Sequence, residues 1–226
     1  MKELISSGLE ALGLTGSVPP DAAEKLAEYG RLLLEKNQVM NLTAIRDEAG
    51  VARLHMLDCA ALLPCADLTG ARTLLDVGTG AGFPGLPLKI LLPQLDVTLL
   101  DSLNKRVDWL NEVSAQLGLT GVRAIQGRAE EKALEKSMRD SFDLVTARAV
   151  ADLRLLSELC LPFVKVGGRF LSMKSVDSDQ ELDQAAHAIK LLGGRVRDVK
   201  DYAIPGADVT LKGYPRRWAK IQKAPL

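Results

Sequence analysis

Hydrophobic positions follow two regimes along the chain. After Pro19, Pro20 and Asp21, a plausible helix start, Ala22, Leu26, Tyr29 and Leu33 recur every three or four residues up to Asn37, the spacing of an amphipathic helix. Asn41-Leu42-Thr43 breaks the pattern, and a second helix is predicted from Asp47 to about Leu63, with Val51, Leu54 and Ala61 on one side. From Thr73 onward short apolar runs alternate with helical stretches. Thr73 to Val77, Asp96 to Leu100, Val122 to Gln126, Phe142 to Ala147 and Arg169 to Met173 read as buried strands. Leu86 to Leu92, Lys105 to Leu117 and Leu153 to Val164 read as helices, stopped or followed by Pro93, Gly118 and Gly167-Gly168, with Pro162 shortening the last. A further helix, Asp179 to Leu192, ends at Gly193-Gly194, and Arg195 to Ala203 and Arg217 to Gln222 suit two final strands. The alternation predicts an α/β fold: a seven-stranded, mostly parallel, Rossmann-like sheet over residues 71–226 behind a helical cap of residues 1–70. Nothing in the cap's periodicity demands more than covering one side of the sheet.

Composition narrows the class. With 226 residues, 47% of them hydrophobic, the chain can bury one substantial core but not two large ones. No apolar run approaches the roughly 18 residues needed to span a bilayer. The opening MKELISSGLEALGL carries Glu3 and Glu10 and lacks the apolar stretch of a signal peptide, so a cytoplasmic location is expected. Cys59, Cys65 and Cys160 show no metal-ligand spacing and are expected as buried small hydrophobes, with no metal site. Net charge is zero, which disfavours nonspecific coating of nucleic acid, but the charge is unevenly spread. From Arg195 to the end there are eight Lys and Arg against three acids, net +5, whereas Met1 to Arg72 has seven against ten, net −3. Such clustering permits phosphate contacts, although a solvated charged face is its commoner meaning.

The chemistry concentrates at Thr73 to Gly85, TLLDVGTGAGFPG, where a strand runs into four glycines, Gly78, Gly80, Gly82 and Gly85. Their backbone can approach a ligand closely, and the following helix points its positive end at the same spot. Gly80 to Gly85 formally fits the dinucleotide pattern GxGxxG, with Asp101 ending the next strand. Pro84 and Pro87 are expected to interrupt that helix entry and lengthen the loop. Asp76 would repel a pyrophosphate but favour a sulfonium. Asp76-Val77-Gly78-Thr79-Gly80-Ala81-Gly82 resembles the glycine loop of class I methyltransferases, which implies S-adenosylmethionine as cofactor and Asp101 as acceptor for its ribose hydroxyls. Gly127-Arg128-Ala129-Glu130 follows the third strand, where Ala129 and Glu130 would border the adenine, or Glu130 would simply favour the dipole of a helix first turn.

Four segments in order, GTGAGFPGLPL, DSLNKRVDWL, GRAEE and VTARAV, resemble the RsmG (GidB) family, which methylates N7 of a guanine in small-subunit (16S) ribosomal RNA. The resemblance extends to Asn41-Leu42-Thr43-Ala44-Ile45, His55-Met56-Leu57-Asp58 and Phe170 to Lys174, and Phe83-Pro84-Gly85 is its most discriminating part. Trp109 stands where the family commonly has Phe, and Cys59 where it has Ser. The resemblance implies that Gly78, Phe83, Ala129, Glu130 and Arg148 contact S-adenosylmethionine. Arg148 could alternatively form a structural ion pair, and His55 with Asp58, three residues apart, either a satisfied helix pair or an RNA contact. Methylation at N7 needs no prior deprotonation, so no catalytic acid or base is assigned, and Arg148 is at most a candidate for orienting both ligands. For the implied partner, 16S rRNA or the small subunit, the basic stretch Lys212 to Lys223 offers Arg216, Arg217 and Lys220, with Tyr214 or Trp218 as a stacking ring; its other reading, compatible with the first, is a last sheet strand with Trp218 or Ile221 buried and the charges in solvent, and Arg123 and Arg128 are further candidates. The alternatives are a class I methyltransferase acting on a small molecule and a nicotinamide-binding oxidoreductase. A monomer is the default expectation.

Overall fold

The computed structural model describes residues 1–66, 68, 70–148, 151–175, 179–207 and 216–224. The chain opens with helices α1 (Lys2–Ala11) and α2 (Ala22–Lys36). Helix α1 escaped the sequence reading, although Ile5, Gly8 and Leu9, its buried residues, lie at helical spacing. In α2 the residues picked out by periodicity, Ala22, Leu26, Tyr29 and Leu33, are all buried.

The second predicted helix is a broken run. Asp47 caps α3 (Glu48–Val51) by accepting from the Gly50 N–H at 2.7 Å; a π-helical segment, Ala52–Leu57, follows, and then α4 (Asp58–Ala60) and α5 (Leu62–Cys65). A π segment widens the turn and re-aims the side chains it carries. Here those include His55, with Asp58 immediately after it.

Strands and helices then alternate: β1 (Thr73–Val77), α6 (Gly85–Leu91), β2 (Asp96–Asp101), α7 (Asn104–Gln116), β3 (Val122–Gln126), α8 (Ala129–Lys132), β4 (Phe142–Arg148), α9 (Leu153–Cys160), β5 (Val164–Ser175), α10 (Asp179–Leu191), β6 (Gly194–Tyr202) and β7 (Arg216–Lys223). They build one seven-stranded sheet in the order β3-β2-β1-β4-β5-β7-β6, in which β7 alone runs against the direction of the other six. Pro87 does not interrupt α6 as expected. It lies in the first turn, where a missing N–H removes no intrahelical bond. β5 begins five residues earlier than predicted, because α9 stops at Cys160, Leu161–Phe163 forms a single tight turn around Pro162, and the chain re-enters the sheet at Val164. Gly167, at φ +84°, lies where the register with β4 shifts, so Gly167-Gly168 marks an irregularity within the strand rather than its start.

Side-chain alternation on the strands divides the interior. Leu74, Val97, Leu99, Leu144, Leu171 and Trp218 face a layer made of the N-terminal helices, α6 and α7. Leu75, Val77, Leu100, Val145 and Ile221 face α9 and α10. Tyr29, Met56 and Leu62 belong to the same continuous apolar cluster as the sheet, so the N-terminal helices share its core. Cys59 and Cys160 are buried free thiols.

Candidate functional site

Three anchors hold the loop after β1. From below, the buried carboxylate of Asp76 accepts from Thr79 Oγ1 at 2.7 Å and the Gly85 N–H at 2.9 Å through one oxygen, and from Thr146 Oγ1 at 3.1 Å through the other. From the side, Asp101 Oδ2 accepts the Gly80 N–H at 2.9 Å. From above, the Tyr29 hydroxyl of α2 donates to the Ala81 carbonyl. The glycines are required for shape: Gly82 sits at φ +108°, and a Cβ there would lie 2.6 Å from Tyr29 Oη and 2.8 Å from Leu86 Cδ1. The helical cap therefore does more than cover the sheet, since one of its side chains ties down the ligand loop.

This geometry corrects the role expected of Asp76. Its carboxylate is taken up by Thr79 and Gly85 of the loop and Thr146 of β4 and does not line the cleft, so it makes no direct contact with a ligand there. Burial raises its pKa to about 6, and the bonds from Thr79, Gly85 and Thr146 offset only part of that rise.

At the C-terminal ends of β1 to β4 lies a cleft of about 350 Å³. Gly78, Asp101, Ala129, Glu130 and Arg148 all line it, so five of the seven residues expected at the cofactor are brought together, and Arg128 borders it as well. Gly80 contributes through its hold on Asp101. Phe83 does not line the cleft. Its ring is buried, stacked on His55 at 4.4 Å between centroids and on Tyr29 at 5.3 Å, with the Arg148 guanidinium 4.9 Å from its centre. It serves as the floor under Arg148.

Asp101 is more committed than the sequence implied. Beyond Gly80 it accepts the Leu103 N–H at 3.0 Å and Arg106 Nη1 at 3.4 Å. A carboxylate has about four acceptor positions, which leaves roughly one for a ligand hydroxyl. Glu130 is largely exposed at the start of α8 and pairs with Arg128 at 2.9 Å. Its pKa is lowered by its backbone hydrogen bond and by that guanidinium. Sequence reasoning missed Arg106, which also lines the cleft; the available signal was a cation on the first turns of α7, just after the acid that ends β2.

Arg148 ends β4 and is satisfied from the cap. Its Nη1 donates to Asp58 Oδ2 at 3.1 Å and to the Leu54 carbonyl at 3.3 Å, while Nη2 donates to His55 Nδ1 at 3.0 Å. His55 and Asp58 are not bonded to each other as a helix pair; both hold Arg148. Burial, and then the neighbouring Arg148 charge, lowers the pKa of His55 to about 3.

The basic candidates separate. Arg216 lies 3.6 Å from Asp58, beside Arg148. Arg217 grips Asp201 through two bonds, at 2.6 and 3.1 Å. Lys220 stands 5.8 Å from the Trp218 ring centre. Trp218 itself is fully buried in the core, so it offers no face for stacking on a base. Arg123 is also corrected: it donates to Thr98 Oγ1 at 2.9 Å and lines a separate depression with Thr73, Asp96 and Phe142, at the opposite ends of the strands. Lys212 and Tyr214 lie outside the described residues.

The family described as "GidB: rRNA small subunit methyltransferase G" matches residues 22–207. The chain belongs to this family. Among curated relatives named "Ribosomal RNA small subunit methyltransferase G", the protein of Clostridium beijerinckii is 42% identical over 236 residues, covering 99% of this chain and 98% of its own. That of Alkaliphilus metalliredigens is 45% identical, covering 92% and 87%. Solved structures share the fold: M. jannaschii TYW2 in complex with AdoMet has a TM-score of 0.53 at 15% identity, covering 67% of this chain and 68% of that one. A SAM-dependent methyltransferase from Aquifex aeolicus has a TM-score of 0.53 at 18% identity, covering 76% and 92%. The GidB-family chain thus has a class I methyltransferase fold. Among its described residues no helix is long and apolar enough to cross a membrane.

Proposed function

We propose that this GidB-family protein transfers the methyl group of S-adenosylmethionine to N7 of a guanine in small-subunit ribosomal RNA, with the cofactor in the cleft at the ends of β1 to β4. The observation that carries the reading is the meeting of Gly78, Asp101, Ala129, Glu130 and Arg148, from four successive strand ends, around one space. The residues suit the cofactor. Gly78 at φ +65° gives bare backbone, Asp101 keeps about one acceptor position for a ribose hydroxyl, and exposed Glu130 adds acceptors for the second hydroxyl or the adenine edge. Bound S-adenosylmethionine supplies an electrophilic methyl: as N7 of the guanine forms the new N–C bond, the C–S bond breaks and its electron pair stays on sulfur.

No proton has to leave N7 beforehand, so the protein's contribution is placement and electrostatics. Arg148, held in position by His55, Asp58 and Phe83, lines the cleft and is the candidate for orienting donor and acceptor. Among the described residues no group of three or more potential metal ligands exists, and the reading needs none. A cytoplasmic monomer fits such a role.

Small subunits or ribosomal RNA from cells lacking this gene, incubated with the protein and labelled methyl donor, are expected to yield label in 7-methylguanine. Label in any other nucleoside, or none, would overturn the reading.

A further inference from the structure

A second cavity, of about 250 Å³, opens beside the cofactor cleft, and Arg148 lines both. Its other walls include Asp58, Lys174, Glu181, Tyr202 and Arg216, drawn from the ends of β5 and β6, the start of β7, the first turn of α10 and the start of α4. All lie at the end of the sheet where the cofactor cleft opens.

Asp58 is consumed internally by the Tyr202 hydroxyl at 2.9 Å, Arg148 at 3.1 Å and Arg216 at 3.6 Å. Glu181 is not. Its Oε2 accepts the Leu153 N–H at 2.9 Å and the Lys174 ammonium at 2.8 Å, whereas Oε1 has no partner among the described residues. Lys174 also donates to the Ala151 carbonyl at 2.6 Å, which leaves one of its three N–H groups without a partner among the described residues. Among the described residues the cavity therefore presents one carboxylate oxygen without a partner next to a spare N–H donor, both belonging to the Glu181–Lys174 ion pair.

That pairing has a complement among the bases. The Watson–Crick edge of guanine sets the acceptor O6 beside two donors, N1–H and the 2-amino group, while adenine presents a donor beside an acceptor. We propose that this cavity is the acceptor-base subsite, in which Glu181 accepts from the N1–H and 2-amino donors and Lys174 donates to O6. The inference rests on the guanine-N7 reading above. With that edge held by α10 and β5, the opposite edge, which carries N7, turns towards Arg148 and the cofactor cleft. Glu181 is then a specificity-determining residue, not only a tie for the start of α9.

The test compares RNA carrying guanosine at the target with RNA carrying inosine there, which lacks only the 2-amino group. The wild-type protein is expected to methylate inosine with kcat/KM about 10-fold lower, the effect of losing one arm of a paired base contact. In Glu181→Gln and Glu181→Ala the guanosine rate falls and the two substrates become nearly equal, while S-adenosylmethionine affinity by calorimetry stays at the wild-type level. The Gln variant keeps an acceptor for the Leu153 N–H, so it tests recognition without loosening α9. Wild-type protein that methylates both RNAs equally, or Glu181 variants that keep the wild-type discrimination, would overturn the subsite. Wild-type protein that methylates no guanosine at all would overturn the underlying reading along with it.

Discussion

The Arg148 guanidinium donates to Nδ1 of His55 across 3.0 Å, and this contact fixes the protonation of the histidine. A guanidinium carries no acceptor, so Nδ1 must present its lone pair. The remaining ring proton sits on Nε2 and is donated to Thr43 Oγ1 at 2.8 Å, the same oxygen that accepts the Ile45 N–H at 3.1 Å. His55 is thus a neutral spacer between the loop after α2 and the end of β4. Its other face stacks on Phe83, which makes the ring part of a rigid platform under Arg148.

A neutral, buried His55 has a pH signature. Its ring resonances are expected to stay flat between pH 5 and 8 in an NMR titration, because its pKa lies near 3. Since the folded pKa is below the unfolded value of 6.5, the unfolded chain takes up a proton that the native state refuses. Stability therefore falls on acidification below about pH 6.5, by up to ~1.4 kcal/mol per pH unit. Asp76 works in the opposite sense. With its pKa raised from 3.8 to about 6, it keeps a proton in the native state that the unfolded chain has lost, so stability from this group rises as pH falls from 6 towards 4. Replacing His55 by Gln should remove the first effect and leave the second. Urea unfolding at pH 7, 6, 5 and 4 is expected to show the variant losing less stability than the wild type, and a steeper acid loss in the variant would contradict the assignment.

Tyr29 links the cap to the glycine loop through the Ala81 carbonyl. Tyr29→Phe keeps the ring and its stack on Phe83 but leaves that buried carbonyl without its donor, a loss of about 1–3 kcal/mol. The loop should also hold its ligand less well. Calorimetry is expected to show weaker S-adenosylmethionine binding together with a lower Tm; a lower Tm with unchanged binding would confine Tyr29 to packing.

Much of this arrangement was legible in the chain itself, because strand ends in a parallel sheet gather at one edge. Asp101, Ala129, Glu130 and Arg148 each sit just at or after an apolar run, and topology alone brings them to the cleft. Orientation was less accessible. Asp76 and Phe83 belong to the same motif as Gly78 and Gly80, yet both turn inward, a consequence of tertiary partners, Thr146 on β4 and His55 on the π segment, that lie far away in sequence. That segment also hid its own geometry, since a residue pattern that predicts a helix does not distinguish an α turn from a π turn. Trp218 left two readings open, a stacking ring in a basic stretch or a buried residue of the last strand, and strand alternation decides for the second by carrying the ring into the core, where Ile221 is also buried.

Two glycines of the loop should respond differently to alanine. At Gly80 the space is open, the nearest atom being 4.0 Å from a new Cβ, so only the backbone conformation at φ +61° opposes the change, at about 1–2 kcal/mol. At Gly82 the same methyl would meet Tyr29 Oη, Leu86 and Leu110 within 3.0 Å. Gly80→Ala is expected to fold with a modest drop in Tm. Gly82→Ala should lose more stability and most of its cofactor affinity, and equal melting temperatures for the two variants would refute the steric distinction.

Burial assigns Trp218 to the core, with its Nε1–H lacking a hydrogen-bond partner among the described residues. Trp218→Ala should therefore cost about 3–5 kcal/mol. Trp218→Phe removes the unsatisfied N–H with a smaller loss of volume, so it should fold and bind RNA as tightly as the wild type. A folded Phe variant with weakened RNA binding in a filter assay would restore the stacking role.

Asp143 pins the start of β1 to β4 and should control stability in strong acid. Its Oδ2 accepts the Arg72 and Thr73 N–H groups and the Thr73 hydroxyl, each at 3.0 Å, and its Oδ1 takes the Lys165 ammonium at 3.1 Å. Burial alone would raise its pKa, but the two backbone donors, Lys165 and the hydroxyl outweigh it and hold the value at about 2. Because that lies below the unfolded 3.8, the stabilisation is complete above pH 3.8 and is lost as pH falls through 2. The difference corresponds to ~2 kcal/mol, an upper figure given the partial exposure of the carboxylate. Asp143→Asn should lower the Tm at pH 7 and bring the variant close to the wild type near pH 2, where the native carboxyl is itself about half protonated. A gap between the two proteins that persists undiminished into acid would mean that Asp143 acts through shape and not through charge.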